Sequence, residues 1–131
     1  MVAFYCECFG LEPVETAQDY AVLESAAWNL SLVVMPAAIA ATMPEAVPAT
    51  RRADTPIKLA FQVESIEAVR PVLTRLGGQL DPAGTQWSFR GQRHCDGVDP
   101  EGNVVHVTAR VPEGQADAGL TASTAHQVED Q

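Results

Sequence analysis

Residues 57–78 spell out a strand followed at once by a helix, and that pair limits the folds open to the chain. Ile57, Leu59, Phe61 and Val63 alternate with Lys58, Ala60 and Gln62. This is the period-two pattern of a strand with one buried face. Ser65 stands where a helix N-cap accepts a backbone N–H, ahead of an apolar stripe at Ile66, Val69, Val72, Leu73 and Leu76 that Gly77-Gly78 ends. Pro71 falls inside that helix and is expected to remove a hydrogen bond or kink it. Three extended pieces follow, at about residues 79–81, 86–90 and 104–111, with residues 96–103 read as turn-rich. The order is strand, helix and three strands.

A shorter version of that order precedes it. Val2, Tyr5 and Phe9, together with Phe4 and Cys8, recur three or four apart and end at Gly10, which predicts a helix from the start of the chain. Residues 11–15, 20–25 and 28–35 are short and rich in strand formers, so helix and three strands are predicted, without an opening strand. Residues 36–56 contain Pro36, Pro44, Pro48 and Pro56, many alanines and the pair Arg51-Arg52. They read as a connector, with a helical turn open to residues 37–42.

At 131 residues and 47% hydrophobic, the chain has length for one domain of usual size. We place that domain at residues 1–111, with module 1 at about 1–36, a connector at 37–56 and module 2 at about 57–111. Residues 112–131 lack periodicity and read as a disordered acidic tail. Acids outnumber bases 17 to 8, and Glu113, Asp117, Glu129 and Asp130 lie in the tail. An acidic chain argues against a nucleic-acid partner, which needs a basic surface. Three cysteines, Cys6, Cys8 and Cys95, are an odd and sparse set that suits the cytoplasm better than an oxidising compartment. Neither a membrane span nor an export signal is visible, so no membrane partner is expected.

Several pieces, in order, resemble the vicinal oxygen chelate superfamily, which includes glyoxalase I, bleomycin-resistance proteins, fosfomycin-resistance enzymes and extradiol dioxygenases. They are Phe4-Tyr5 through Phe9-Gly10-Leu11, Lys58-Leu59-Ala60-Phe61-Gln62-Val63, Leu76-Gly77-Gly78 and Asp99-Pro100-Glu101-Gly102-Asn103. The resemblance implies an α+β fold of paired βαβββ modules whose sheets curl around a cleft, with the first strand of module 1 missing. Met1 falls inside the family's first helix, so the true start is expected upstream. By strand parity Ile57, Leu59, Phe61, Val63, Val105 and Val107 are expected to face the helices, as are Leu30, Leu32 and Val34. Lys58, Ala60, Gln62, Val104, His106 and Thr108, with Asn29, Ser31 and Val33, are expected to face the cleft.

The resemblance also implies a divalent metal held by the first and last strands of each module. Its positions fall on Lys58, His106 and Ser31, and a fourth on the missing strand. Only His106 is a usual ligand, and a stable site needs three or four donors. No cofactor is therefore predicted, with Zn, Ni, Fe or Mn at His106 as the lesser reading. Cys6-Glu7-Cys8 with His94-Cys95 lacks the common zinc spacing. The expected function is binding of a small-molecule ligand in the cleft. Ser31, Lys58, Gln62, Trp87, Phe89, His106 and Thr108 are the candidate contacts, and His106 is the candidate base if catalysis occurs. Lys58, the sole lysine, is placed to meet an anionic group or to sit at the surface. Set beside His106, it would favour the neutral imidazole. Trp87 and Phe89 alternate on one strand face, as stacking rings or as core. The acidic body suits a cationic drug or metabolite. The alternative is a metal-dependent lyase, isomerase or dioxygenase of the same superfamily, and the family analogy implies a homodimer.

Overall fold

A computed structural model of the chain describes residues 1–43 and 50–112. Helix α1 (Val2–Phe9) stops at Gly10, whose φ of 69° turns its N–H onto the Cys6 carbonyl. Strands β1 (Glu12–Thr16), β2 (Tyr20–Glu24) and β3 (Asn29–Val33) form an antiparallel three-stranded sheet in that order. A single turn of helix, α2 (Ala37–Ala40), opens the connector. The second half contains β4 (Leu59–Val63), α3 (Ile66–Arg75), β5 (Gln79–Leu80), β6 (Trp87–Phe89), β7 (Gln92–Val98) and β8 (Val104–Arg110). Its sheet runs β4-β8-β7-β5, with β6 also paired to β7 and β4 parallel to β8. The fold is α+β and its two sheets do not close on each other. Residues 113–131, read above as a disordered tail, lie outside the described residues.

Three sequence expectations change. Residues 96–98 are strand, not turn, because β7 runs unbroken to Val98. The pattern there is hard to see: one face of β7 is polar, and the other carries only Cys95 and Gly97 as buried positions. Gly97 has to be small, since a Cβ would sit 2.7 Å from the Gln79 carbonyl oxygen. Ile57 and Val34 do not join the core, at 75% and 62% exposed, since β4 begins and β3 ends inside them. Val104, expected in the cleft, is buried. Pro71 leaves α3 intact. The bond it cannot donate would have gone to Glu67, and both residues are exposed, so water can solvate that carbonyl.

The core joins the halves. Phe61 of β4 stacks on Phe9 of α1 with centroids 4.1 Å apart, and Tyr5 and Trp28 pack around the same ring. Val105 and Val107 of β8 and Cys95 of β7 are almost wholly enclosed with Ile66 and Leu73 of α3. Phe4 lies so close to Gly78 that a Cβ there would sit 2.5 Å from its ring.

Asp99 is the polar centre of this assembly and is 2% exposed. Its carboxylate accepts from the N–H groups of Glu101 and Asn103, both at 2.9 Å, and from Asn103 Nδ2 at 2.8 Å. Tyr5 Oη, from the other half, donates to it at 2.7 Å. The connector meets the same turn, where Arg52 N–H donates to the Gly102 carbonyl at 2.8 Å. Gly102 has φ of 82°, and a Cβ there would overlap the Thr50 carbonyl oxygen.

Two substitutions measure this junction in urea unfolding. Tyr5→Phe keeps the ring and is expected to cost about 1–3 kcal/mol, because a buried carboxylate loses one donor. Gly102→Ala is expected to cost about 2 kcal/mol or more, through a strained φ and a displaced connector. Wild-type stability in both would contradict a structural role for the turn.

Candidate functional site

The inner face of the second sheet is built by parity and register. Ala60 of β4 lies beside His106 of β8, which faces Asp96 of β7, and Gln62 lies beside Thr108, which faces His94. Trp87 of β6 then lies opposite His94, and Phe89 opposite Gln92. Lys58, just before β4, reaches across to the same row. The strand pairings alone therefore set polar side chains from several strands in line on one face.

The row is hydrogen-bonded from end to end. Lys58 Nζ donates to Asp96 Oδ2 at 2.9 Å, and His106 Nδ1 donates to Asp96 Oδ1 at 2.7 Å. His106 Nε2 lies 2.9 Å from His94 Nδ1, and His94 Nε2 lies 3.1 Å from the Phe89 carbonyl oxygen. The side chains of His106 and Asp96 are 15% and 19% exposed, that of Lys58 46%. The interior of the row is thus largely shielded, while its lysine end is open. Trp87 stacks on His94 with centroids 5.4 Å apart and planes at 12°, and its ring lies 5.3 Å from that of His106. Trp87 and Phe89 are themselves 42% and 60% exposed, so they are open rings and not core.

Burial pushes the Asp96 carboxyl up, but hydrogen bonds from His106 and Lys58, with their charges, outweigh it and hold the group below the usual range. Asp96 stands between Lys58 and His106, so the two side chains share a partner and do not face each other as expected from sequence. Asp96 and His94 are the two members that sequence reasoning missed. The signal available was their spacing of two, which puts both on the face of β7 that pairs with His106. Ser31 lies apart, exposed on β3 in the other sheet.

A metal fits this row poorly. Its nitrogens and oxygens face each other in sequence instead of surrounding a point, and His106 already meets a partner at each ring nitrogen. Among the described residues no three His, Cys, Asp or Glu side chains are grouped as metal ligands. Cys95 points to the opposite face of β7 from His94, and Cys8 is buried in α1, where burial first and then Glu7 push its thiol up to about 11. A second opening, of about 260 Å³, lies between the sheets and is lined by Leu30, Leu32, Ile57, Leu59 and Val104 among others. None of the polar row lines it.

Comparison with solved structures places the architecture. A glyoxalase/bleomycin resistance protein/dioxygenase family enzyme from Burkholderia phytofirmans PsJN superimposes with a TM-score of 0.62 at 18% identity, over 85% of this chain and 88% of that one. The fold is that of the vicinal oxygen chelate superfamily. The fosfomycin resistance protein FosX from Listeria monocytogenes matches with a TM-score of 0.55 at 16% identity, over 86% and 83% of the two chains. A glyoxalase-related enzyme from Fulvimarina pelagi matches at 0.54 and 19%, over 83% and 77%. At such identities the likeness is one of fold. No protein-family model matches the chain, and no curated protein matches it.

The lowered Asp96 carboxyl makes stability depend on acid. The unfolded chain takes up this proton at the ordinary value near 3.8, the folded chain only at lower pH, so folding loses this contribution as pH falls from one value to the other. Urea unfolding of wild type and Asp96→Asn between pH 5 and 3 is expected to show a steeper loss in wild type. Parallel pH profiles would show that Asp96 is not held by its partners.

Proposed function

We propose that this protein binds a small molecule on the inner face of the second sheet, without the divalent metal usual in the superfamily. The observation that carries this reading is the pair of open rings, Trp87 and Phe89, beside the hydrogen-bonded row of His94, His106, Asp96 and Lys58. An exposed indole next to shielded, oriented polar groups is the usual make-up of a site for a planar ligand with a polar end. Gln62 and Thr108 extend the same wall, while Ser31 would contribute only from the opposite sheet. His106 is the group to act as a base should the ligand be transformed, since it alone joins Asp96 to His94.

The metal-dependent lyase, isomerase or dioxygenase reading has the fold and His106 in its favour, but the donors are in a row. Elemental analysis of protein purified without chelator decides between the two. Stoichiometric Ni, Zn, Fe or Mn would overturn the metal-free reading. Equilibrium dialysis against planar aromatic metabolites and antibiotics, at several salt concentrations, tests binding itself. We expect a retained ligand, with Trp87→Ala weakening it by about 1–2 kcal/mol. No ligand retained at any salt would count against the site.

We further propose a homodimer and a cytoplasmic setting. Val33, Val34, Met35 and Ile39 are large, apolar and exposed, which suits a covered surface, and the three free cysteines suit a reducing compartment. No helix among the described residues is long and apolar enough to cross a membrane. Light scattering is expected to give twice the chain mass, and a monomer would overturn the dimer.

A further inference from the structure

We propose that the free edge of β3 takes up one extended segment of another polypeptide, which adds as a strand parallel to β3 and fills the apolar opening between the two sheets. This goes beyond the cleft reading and does not rest on it.

The backbone of β3 defines what is missing. The strand pairs with β2 on one side and with no strand among the described residues on the other. At the two ends of its pairing, Ser25 N–H donates to the Trp28 carbonyl and Val34 N–H to the Asp19 carbonyl. Bonded pairs alternate along an antiparallel ladder, so Leu30 and Leu32 also bond to β2. The N–H and C=O groups of Asn29, Ser31 and Val33 therefore point out of the sheet edge. A row of open donors and acceptors is matched by an extended backbone, whereas a compact apolar molecule leaves it unpaired.

Other edges of the molecule are blunted and this one is not. Strand β1, at the opposite edge of the same sheet, carries Glu12, Pro13 and Glu15, and its register is irregular between Pro13 and Glu15. In the second sheet β5 and β6 are two and three residues long. Charge, proline, irregularity and shortness keep an edge from recruiting a strand. Strands β3 and β4 have none of these, being five residues each without charge or proline. Both border one opening of about 260 Å³, with Leu30 and Leu32 on one side and Ile57 and Leu59 on the other. Because β4 closes its far side, the opening takes a single strand and not the edge of a second sheet.

The chain's own repeat gives the direction. In the second half β4 precedes α3 and lies parallel to β8, the last strand of that half. The corresponding place in the first half is beside β3, at the opening. A strand there turns every second side chain onto Leu30, Leu32, Ile57 and Leu59, so the segment it suits is uncharged and apolar at alternate positions. Nothing left over in this chain has that pattern. Residues 44–49 include Pro44 and Pro48, and residues 113–131 have only Leu120 and Val128 as large apolar residues. A second copy brings the same sequences, which leaves a different polypeptide as the occupant.

Amide hydrogen exchange of the full chain, read residue by residue by NMR, tests this with a synthetic peptide of residues 57–63, the sequence that the second half uses in the corresponding place. In the dilute free chain Asn29, Ser31 and Val33 are expected to exchange fast, and Leu30 and Leu32 slowly. Saturating peptide is expected to slow the first three roughly tenfold or more. The same peptide with Leu59→Asp and Phe61→Asp should leave them unchanged. No slowing at any concentration of the unmodified peptide would overturn the proposal. So would slow exchange of the three amides without peptide: if it persists on dilution the chain fills its own edge, and if it is lost on dilution a second copy does.

Discussion

A buried carboxylate needs several donors to remain in a protein interior, and Asp99 finds four of them in three different places. Two are backbone N–H groups of its own turn, one is the Asn103 amide, and the last is the Tyr5 hydroxyl from a helix 94 residues away in sequence. Tyr5 is the donor that reaches Asp99 from outside its own turn. The connection therefore fixes α1 to the start of β8. Because the connector also bonds Gly102, both halves and the segment between them meet at one turn. Strand β8, which carries His106, starts directly from that turn.

From there, one rule of geometry separates stability from chemistry. Along β8, Val105, Val107 and Ala109 enter the core with Phe61 and the stripe of α3, while His106 and Thr108 emerge on the other side. The same alternation on β7 sends Cys95 to the core on the outer face and His94 and Asp96 to the inner face of the sheet. A one-residue slip would exchange the two sets, placing imidazoles among valines, so packing on one face enforces the register of the polar row on the other. The row owes its alignment to the core behind it.

That coupling also explains which parts were legible in the sequence. β4 and α3 announce themselves because one face of each is apolar at the right period, and the Asp99 to Asn103 turn because its residue types have few other uses. The resemblance carried by Tyr5, Gly78 and Asp99 reached the right fold, and the structure gives those residues their reasons: a buried donor, room for Phe4 and a satisfied carboxylate. β7 was not legible. Its outer face holds a glycine where Leu80 and Gln79 press in, and its inner face is polar, so neither face shows an apolar stripe. Missing β7 meant missing His94 and Asp96, and with them the fact that Lys58 and His106 share a partner instead of facing each other. Trp87 and Phe89 were visible as an alternating pair, but only their exposure separates an open platform from core.

Charge is where local structure most departs from composition. Charges that are spread over a chain and exposed to water are screened over about 8 Å at physiological salt. Groups lining one face of a sheet act at 3 to 5 Å through partly shielded space, where their interaction is several times stronger. On the inner face the sole lysine is matched by Asp96, and the two histidines that follow are hydrogen-bonded in series between two acceptors. The polar groups beside Trp87 are therefore a paired and hydrogen-bonded set, whatever the average charge of the chain.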